Sequence, residues 1–435
     1  MSADGGAETS ALVEDLFRRE SGRLVARLAR IFGLEHLELA EDVVQEALLR
    51  ALAVWRVQGA PRDPHAWLVR VAKNLALDHV RRDARLARTA EALDDWDEAE
   101  ASPASDAVRE HDAPRDDELA MIFACCHPAL SRDARVALTL KTVGGFGVPE
   151  IARAFLESDA AAAQRLVRAK TRLRDERIEL VTPGGAELGA RLESVLDVVY
   201  FLLNEGLAAH RGDALIRADL VREALRLSRQ LALGELTTTP RAHALAALAH
   251  LHASRVGARL DESGGPLLLE QQDRSKWNRT LIARGFEHLQ RAAVGGELSE
   301  LHIEAAIASQ HALAATWEDT DWSAILRWYD LLAARNASPI VLLNRAVALA
   351  KLRGASAGLR EVEALADAPA LAGYYLLPSI RAEFLRQLGR RAEACEHFRA
   401  ALELCQSSPE RAFLERRLRE TASERHHLDA PPKPE

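Results

Sequence analysis

Residues 145–175 read GFGVPEIARAFLESDAAAAQRLVRAKTRLRD, and this stretch predicts two helices joined by a tight turn. In the first, Ile151, Ala152 and Phe155 recur at the spacing of one helical face, and the small Ala152 lets a second helix cross close by. In the second, Leu166, Ala169 and Leu173 make a buried stripe, while Arg165, Arg168, Lys170 and Arg172 point elsewhere, where a DNA groove and its flanking phosphates would lie. This is the layout of a DNA-reading helix-turn-helix. The alternative for the segment alone is an ordinary amphipathic hairpin whose basic face is merely solvated.

Two upstream segments bear on that choice. Ala40 to Trp55 reads AEDVVQEALLRALAVW, and Pro64 to Arg85 reads PHAWLVRVAKNLALDHVRRDAR. Asp42, Gln45, Glu46 and Ala51 fit the pattern D-x-x-Q-E-x-x-x-x-A, and Trp67, Leu68, Ala72, Asn74, Asp78, Arg81 and Arg82 fit W-L-x-x-x-A-x-N-x-x-x-D-x-x-R-R. With the helix-turn-helix, these motifs resemble, in order and spacing, the two modules of a bacterial RNA polymerase sigma factor of the extracytoplasmic-function type. The resemblance covers roughly the first 180 residues.

It implies a set of roles. The face carrying Asp42, Gln45, Glu46 and Leu49 would dock on core RNA polymerase; a solvated acidic face is the plain alternative. Strand opening at the −10 element of promoter DNA needs a pocket for a flipped base and a cationic track for the backbone. Asn74 stands at the family's base-capture position and offers a donor and an acceptor on one side chain. Trp67 and the loop from Gln58 to His65 would complete that pocket, Arg81, Arg82 and Arg85 would follow phosphates, and Asp78 would hold an arginine in place. For the −35 duplex, Gln164, Arg165, Arg168, Lys170 and Arg172 are the candidate contacts. The chain departs from many members in having Leu156 where they have glycine, and alanines, Ala160 to Ala163, at the start of the reading helix. Alanines touch thymine methyls but cannot hydrogen-bond base edges, so the departure bears on which sequence is read.

Composition agrees. Alanine, leucine, arginine and glutamate dominate and aromatics are only 5% of the 435 residues, so an all-α protein of several domains is expected. The net charge of −8 argues against a nucleic-acid binder only if charge is spread evenly. It is not, because arginines cluster at residues 81–88 and 165–177. No apolar run reaches the length of a membrane span and MSADGGAETS lacks a signal pattern, so a cytoplasmic location is expected, with no membrane partner. Cys125, Cys126 and His127 invite a metal reading. Adjacent cysteines on a helix diverge by about 100°, however, and no second ligand pair lies nearby. They read as core residues, as do Cys395 and Cys405, and neither metal nor cofactor is expected.

The divisions predicted are a first module over residues 10–90, an acidic flexible linker over 91–116 with Pro103 and Pro114, a second module over 117–181, and a helical extension over 186–425. Gly59, Pro61 and Pro64 break the first module, with Asp63 as an N-cap, and Thr182 to Gly185 mark the next boundary. In the extension, Arg381 to Leu402 carries Ala382, Gly389, Ala394, Phe398 and Ala401 where tetratricopeptide repeats place small, turn and packing residues. Asn344 to Leu365 is a weaker copy, with Ala346 and Gly354, and Asp321 to Ala334 supplies a further helix. Residues 186–292 show no period, and their core is expected to include Leu192, Val195, Val199, Tyr200 and Leu203. The extension resembles that of a sigma-factor subgroup with tetratricopeptide-like domains, and implies regulation in cis or through a protein partner.

The competing readings are a polymerase-independent regulator with a sensor domain and an enzyme. The first leaves the motifs at residues 42–55 and 67–82 unexplained. The second lacks a nucleophile, base and orienting group at convincing spacing.

Overall fold

The computed structural model describes residues 20–82, 116–155, 157–207, 211–212, 216–261 and 265–423. The described chain is almost entirely helical, and none of its helices is long and apolar enough to cross a membrane. It divides into two compact units, Met1–Phe201 with Leu233–Thr237, and Leu202–Ala232 with Thr238–Glu435.

In the first unit, helix α1 occupies residues 20–32, α2 Leu37–Gln58 and α3 Pro64–Arg82. The stripe Ala40, Val43, Val44, Ala47, Leu48, Ala51 and Trp55 is buried along α2, and Leu68, Ala72, Leu75, Ala76 and Val80 along α3. The alanines let the backbones approach, and the indoles of Trp55 and Trp67 meet edge to face at 5.3 Å. α2 stops at Gly59, whose φ of 80° is costly for other residues. α3 starts where expected, with Asp63 Oδ1 accepting from the Ala66 amide at 2.9 Å.

Four helices follow, α4 (Asp116–Cys125), α5 (Arg132–Thr142), α6 (Val148–Phe155) and α7 (Asp159–Asp175). Ser131 caps α5 and Ser158 caps α7, each hydroxyl accepting an amide three residues on. α7 packs on both α5 and α6 through Ala162, Leu166, Ala169 and Leu173. The two groups of helices are joined tightly. A Cβ on Gly22 of α1 would stand 2.3 Å from the Val143 carbonyl oxygen, so only glycine permits that approach. Arg27 pairs with Asp117 at 3.0 Å and Arg23 with the buried Glu118 at 3.3 Å.

Helix α8 (Gly185–Leu207) begins at the Thr182–Gly185 signal, yet the first unit runs on to Phe201. Arg191 donates to the Phe123 carbonyl at 3.0 Å, Arg135 to Ser194 at 3.3 Å, and Arg132 lies over the Phe201 ring. Leu192, Val195, Val199 and Leu203 are buried, whereas Tyr200 is only half-buried.

In the second unit, from the helix beginning at Pro240 onward, each helix packs on the next. After α9 (Ala218–Leu233) come α10 (Pro240–Ala253), α11 (Arg279–Ala292), α12 (Glu300–Leu313), α13 (Trp322–Arg335), α14 (Pro339–Arg353), α15 (Ala355–Glu363), α16 (Leu376–Gln387), α17 (Arg391–Leu404) and α18 (Ser408–Ser423). Gly354 and Gly389, at φ of 87° and 77°, make the turns of two successive hairpins. Ala382, Ala394, Phe398 and Ala401 are all buried between helices. A two-residue parallel pairing of β1 (Arg211–Gly212) with β2 (Gln406–Ser407) ties the start of this unit to its far end.

A histidine cluster lies between α10 and α11. His243 Nδ1 and His288 Nδ1 are 2.9 Å apart, so one donates and the other accepts, and the His250 ring lies 5.1 Å from that of His288. His250 Nδ1 donates to the Ala246 carbonyl at 2.7 Å. Burial, and then like charge from one another and from Arg229, Arg284 and Arg291, pushes His250 down to about 4 and His288 to about 3, and lowers His243 as well. Since the unfolded side chains titrate near 6.5, the folded unit binds fewer protons than the unfolded chain below that pH. Stability should therefore be level above about pH 7 and fall progressively from about 6.5 toward 4. Melts of the full chain across that range test this, and replacing His288 with glutamine should flatten the dependence.

Candidate nucleic-acid interface

Three faces of the first unit carry the residues singled out from the sequence. On α2, Asp42, Gln45 and Leu49 are exposed opposite the buried stripe, with Leu49 58% exposed, and Glu46 is partly open and pairs with Arg50 at 2.7 Å. A single exposed leucine is ordinary on a protein surface and by itself marks no partner.

On α3, Asn74 is exposed and carries no hydrogen bond among the described residues. Trp67 is half-buried against Trp55, at the mouth of the 59–63 loop. Asp78 and Arg81 stand 3.8 Å apart with both side chains largely solvated, so the pair is weak. The Arg82 side chain and all of Arg85 lie outside the described residues, as do Leu156 and the 91–115 stretch.

On α7 the basic residues separate into three groups. Gln164, Arg168 and Arg172, four residues apart, form an exposed stripe with Val167 beside it. Arg168 makes no ion pair among the described residues, and Arg172 meets only the exposed Glu176. A cleft of about 360 Å³ opens between this stripe and the N-terminus of α5, bordered by Ser131 and Ala134. Arg165 is held differently. Its guanidinium donates to both Glu157 oxygens at 3.1 and 2.7 Å, approaches Asp133 at 3.4 Å and covers the Phe155 ring. Lys170 is largely enclosed, and its Nζ lies 2.7 Å from Glu41 of α2, whose other oxygen accepts from the Thr142 hydroxyl at 3.2 Å.

Glu41, Thr142, Glu157 and Asp133 were not singled out from the sequence. Glu41 adjoins the Asp42 motif, but nothing local signals a partner 129 residues away.

Cys125 and Cys126 are buried in the core. Burial raises both thiols, Cys126 to about 11, and Cys126 Sγ lies 3.5 Å from the Thr139 hydroxyl. His127 Nδ1 accepts from the Ala129 amide at 3.1 Å. No cluster of three or more His, Cys, Asp or Glu among the described residues could hold a metal ion.

Residues 16–86 match the family described as sigma-70 region 2, residues 120–173 that described as sigma-70, region 4, and residues 191–293 a family of unknown function, DUF6596. Over 93% of its length the chain is 40% identical to the uncharacterized protein R00370 of Rhizobium meliloti (strain 1021), covering 95% of that protein. No solved structure matches. The exposed faces of α2, α3 and α7 thus fall within regions 2 and 4, in the order those regions take, and the chain belongs to the sigma-70 family as an extracytoplasmic-function-like sigma factor that binds RNA polymerase and promoter DNA.

Proposed function

We propose that the α2 face of Asp42, Gln45, Glu46 and Leu49 docks on core polymerase, that Asn74 captures a flipped base of the −10 element, and that Gln164, Arg168 and Arg172 read the −35 duplex. The carrying observation is that all three sets stand solvent-exposed on helices whose opposite faces are buried. Arg165 and Lys170 enter this reading as bracing residues, one fixing the turn before α7 and the other tying α7 to α2. Arg81 and Arg82 follow the backbone of the opened strand, with Arg85 beyond them. The C-terminal unit, tetratricopeptide-like in its last helical hairpins, regulates initiation in cis or through a protein partner. The cell compartment is the cytoplasm, where polymerase works. The decisive experiment adds the purified chain to core polymerase and looks for promoter-specific transcripts; their absence on every promoter tried from genomic fragments would remove this reading.

Asn74→Ala should leave polymerase binding nearly intact while reducing open-complex formation on duplex promoters, with incomplete rescue by a pre-melted template because the base contact itself is gone. Permanganate footprinting reads the opening, and parental levels would unseat Asn74.

Arg168→Ala should cost about 1–3 kcal/mol if the side chain makes a bidentate base contact, with preference relaxed at one −35 position. Arg165→Ala should instead weaken binding to all sequences alike and lower thermal stability, since it removes a brace. Binding to a randomised −35 library separates the two.

A test of regulation must respect the boundary at Phe201, because a shorter cut strips Arg191 and Ser194 from their contacts with α4 and α5. A chain ending after Leu207 should differ from the full chain in transcription from one promoter, rising if the extension inhibits and falling if it activates. Equal activity would make the extension a passenger.

A further inference from the structure

Between the loop at residues 266–270 and helices α13, α14, α16, α17 and α18, the C-terminal unit surrounds a hollow of about 360 Å³. Side chains from four apolar clusters meet there without merging. Leu269 comes from the cluster around Trp277, Trp322 from that around Ile325, Val347, Ile380 and Phe384 from that around Leu343, and Tyr375, Phe398, Phe413 and Leu414 from that around Ala401. Neighbouring clusters ordinarily close on one another at the density of an organic crystal. Here Leu269, Trp322, Val347, Ile380, Tyr375 and Phe413 stay half-buried, and all of them line the space between.

The walls are aromatic, and their charges are matched among themselves. Trp317 and Trp322 meet edge to face with centroids 5.0 Å apart, and Tyr375, Phe384, Phe398 and Phe413 line the same space. Glu270 pairs with Lys351 at 2.7 Å, and the Lys351 ammonium also lies 4.9 Å from the centroid of the Trp317 ring. Glu383 pairs with Arg386 at 2.7 Å and with Arg417, which reaches Glu420 at 3.0 Å as well. Glu410 accepts from the Tyr375 hydroxyl and interacts with the charge of Arg259. A charged ligand would have to pull one of these pairs apart to find a counter-charge, which a neutral one need not do.

One helix supplies most of the polar wall. Tyr375, at the start of α16, and Ser379, Glu383 and Gln387 within it recur every four residues, so a single face of that helix looks into the hollow. The Gln387 amide donates to Glu383 at 3.1 Å, and Ser379 adds a neutral hydroxyl halfway along.

We propose that this hollow binds a neutral aromatic small molecule, its rings against Trp317, Trp322 and the phenylalanines and one uncharged polar group beside Ser379. At the packing density of a protein interior the volume admits roughly 15–20 non-hydrogen atoms, within the range of small-molecule sites. An apolar cavity of about 150 Å³ already stays dry and takes up benzene. A larger one walled by aromatic rings favours a ligand that offers its own ring faces and edges. The assignment does not depend on the promoter-reading roles of the first unit.

The test uses the full chain and three probes on one ring system, neutral 1-pyrenemethanol, anionic 1-pyrenecarboxylate and cationic 1-pyrenemethylammonium, titrated at pH 7.5 with energy transfer from tryptophan to pyrene as the readout. The alcohol should bind saturably at a single site, at least tenfold more tightly than either charged analogue. Val347→Phe and Ser379→Phe each place a ring in the hollow from a different helix. Both should weaken the alcohol at least tenfold while leaving the melting temperature unchanged or higher. If neither folds, Ser379→Cys, a change of one atom, decides. The native cysteines are buried, so iodoacetamide should alkylate the introduced thiol selectively, and saturating 1-pyrenemethanol should slow that reaction at least tenfold. No saturable binding of the alcohol, a charged analogue bound as tightly, parental affinity in a folded Val347→Phe or Ser379→Phe, or a thiol in Ser379→Cys that is unreactive or unprotected would overturn the proposal.

Discussion

The Glu41 carboxylate is the contact on which the arrangement of the first unit rests. It projects from α2 one residue before the exposed Asp42, is largely withdrawn from water, and is met by the Lys170 ammonium and the Thr142 hydroxyl from the other group of helices. Removing one partner of such an enclosed pair typically costs roughly 3–5 kcal/mol, because the survivor is left without its counter-charge. The neighbouring Arg23 and Arg27 bridges are more exposed on the arginine side and worth less, about 1 kcal/mol or under each. Gly22 against Val143 sets how near the helices come, and Glu41 fixes their register.

That contact determines what α7 has left to offer DNA. At about 100° per residue, Gln164, Arg168 and Arg172 drift slowly around one side, whereas Lys170 lies about 160° from Arg168. The tether and the exposed stripe therefore occupy nearly opposite sides, with the Leu166, Ala169 and Leu173 stripe between them. A run of basic residues that looks uniform in sequence is held three ways: an exposed stripe, a brace across the turn to Glu157 and a tie to Glu41 of α2. Arginine suits the brace because its planar fork takes both Glu157 oxygens at once, and lysine suits the tie because a point charge tolerates a single oxygen.

Features set by neighbours in sequence were legible, and those set across space were not. The cap at Asp63, the break after Gln58, the stripe of α7 and the glycine turns at 354 and 389 each depend on a few consecutive residues, so the pattern carries them. The partners of Arg165 and Lys170 come from other helices, and no periodicity reports them. Within residues 186–292, which carry no repeat period, one helix is also hard to read from its hydrophobic phase. In α10, Ala242 to Leu251 are buried without interruption, so the helix has no polar face to alternate with an apolar one. Exposure of Asn74 and Leu49 follows from the helical phase, but phase alone does not mark them as contacts; that expectation rests on the resemblance of the α2 and α3 motifs to the family patterns.

The two units also handle enclosed charge by different means. The first pairs it, acid against base, at Glu41, Glu118 and Glu157. The second neutralises it where the group allows, leaving His243, His250 and His288 uncharged because burial lowers their affinity for the proton. Arginine has no such exit at any pH the protein meets, so an enclosed guanidinium needs acceptors. Arg274 obtains three from one hydroxyl and two carbonyls, and Arg417 has Glu383 and Glu420.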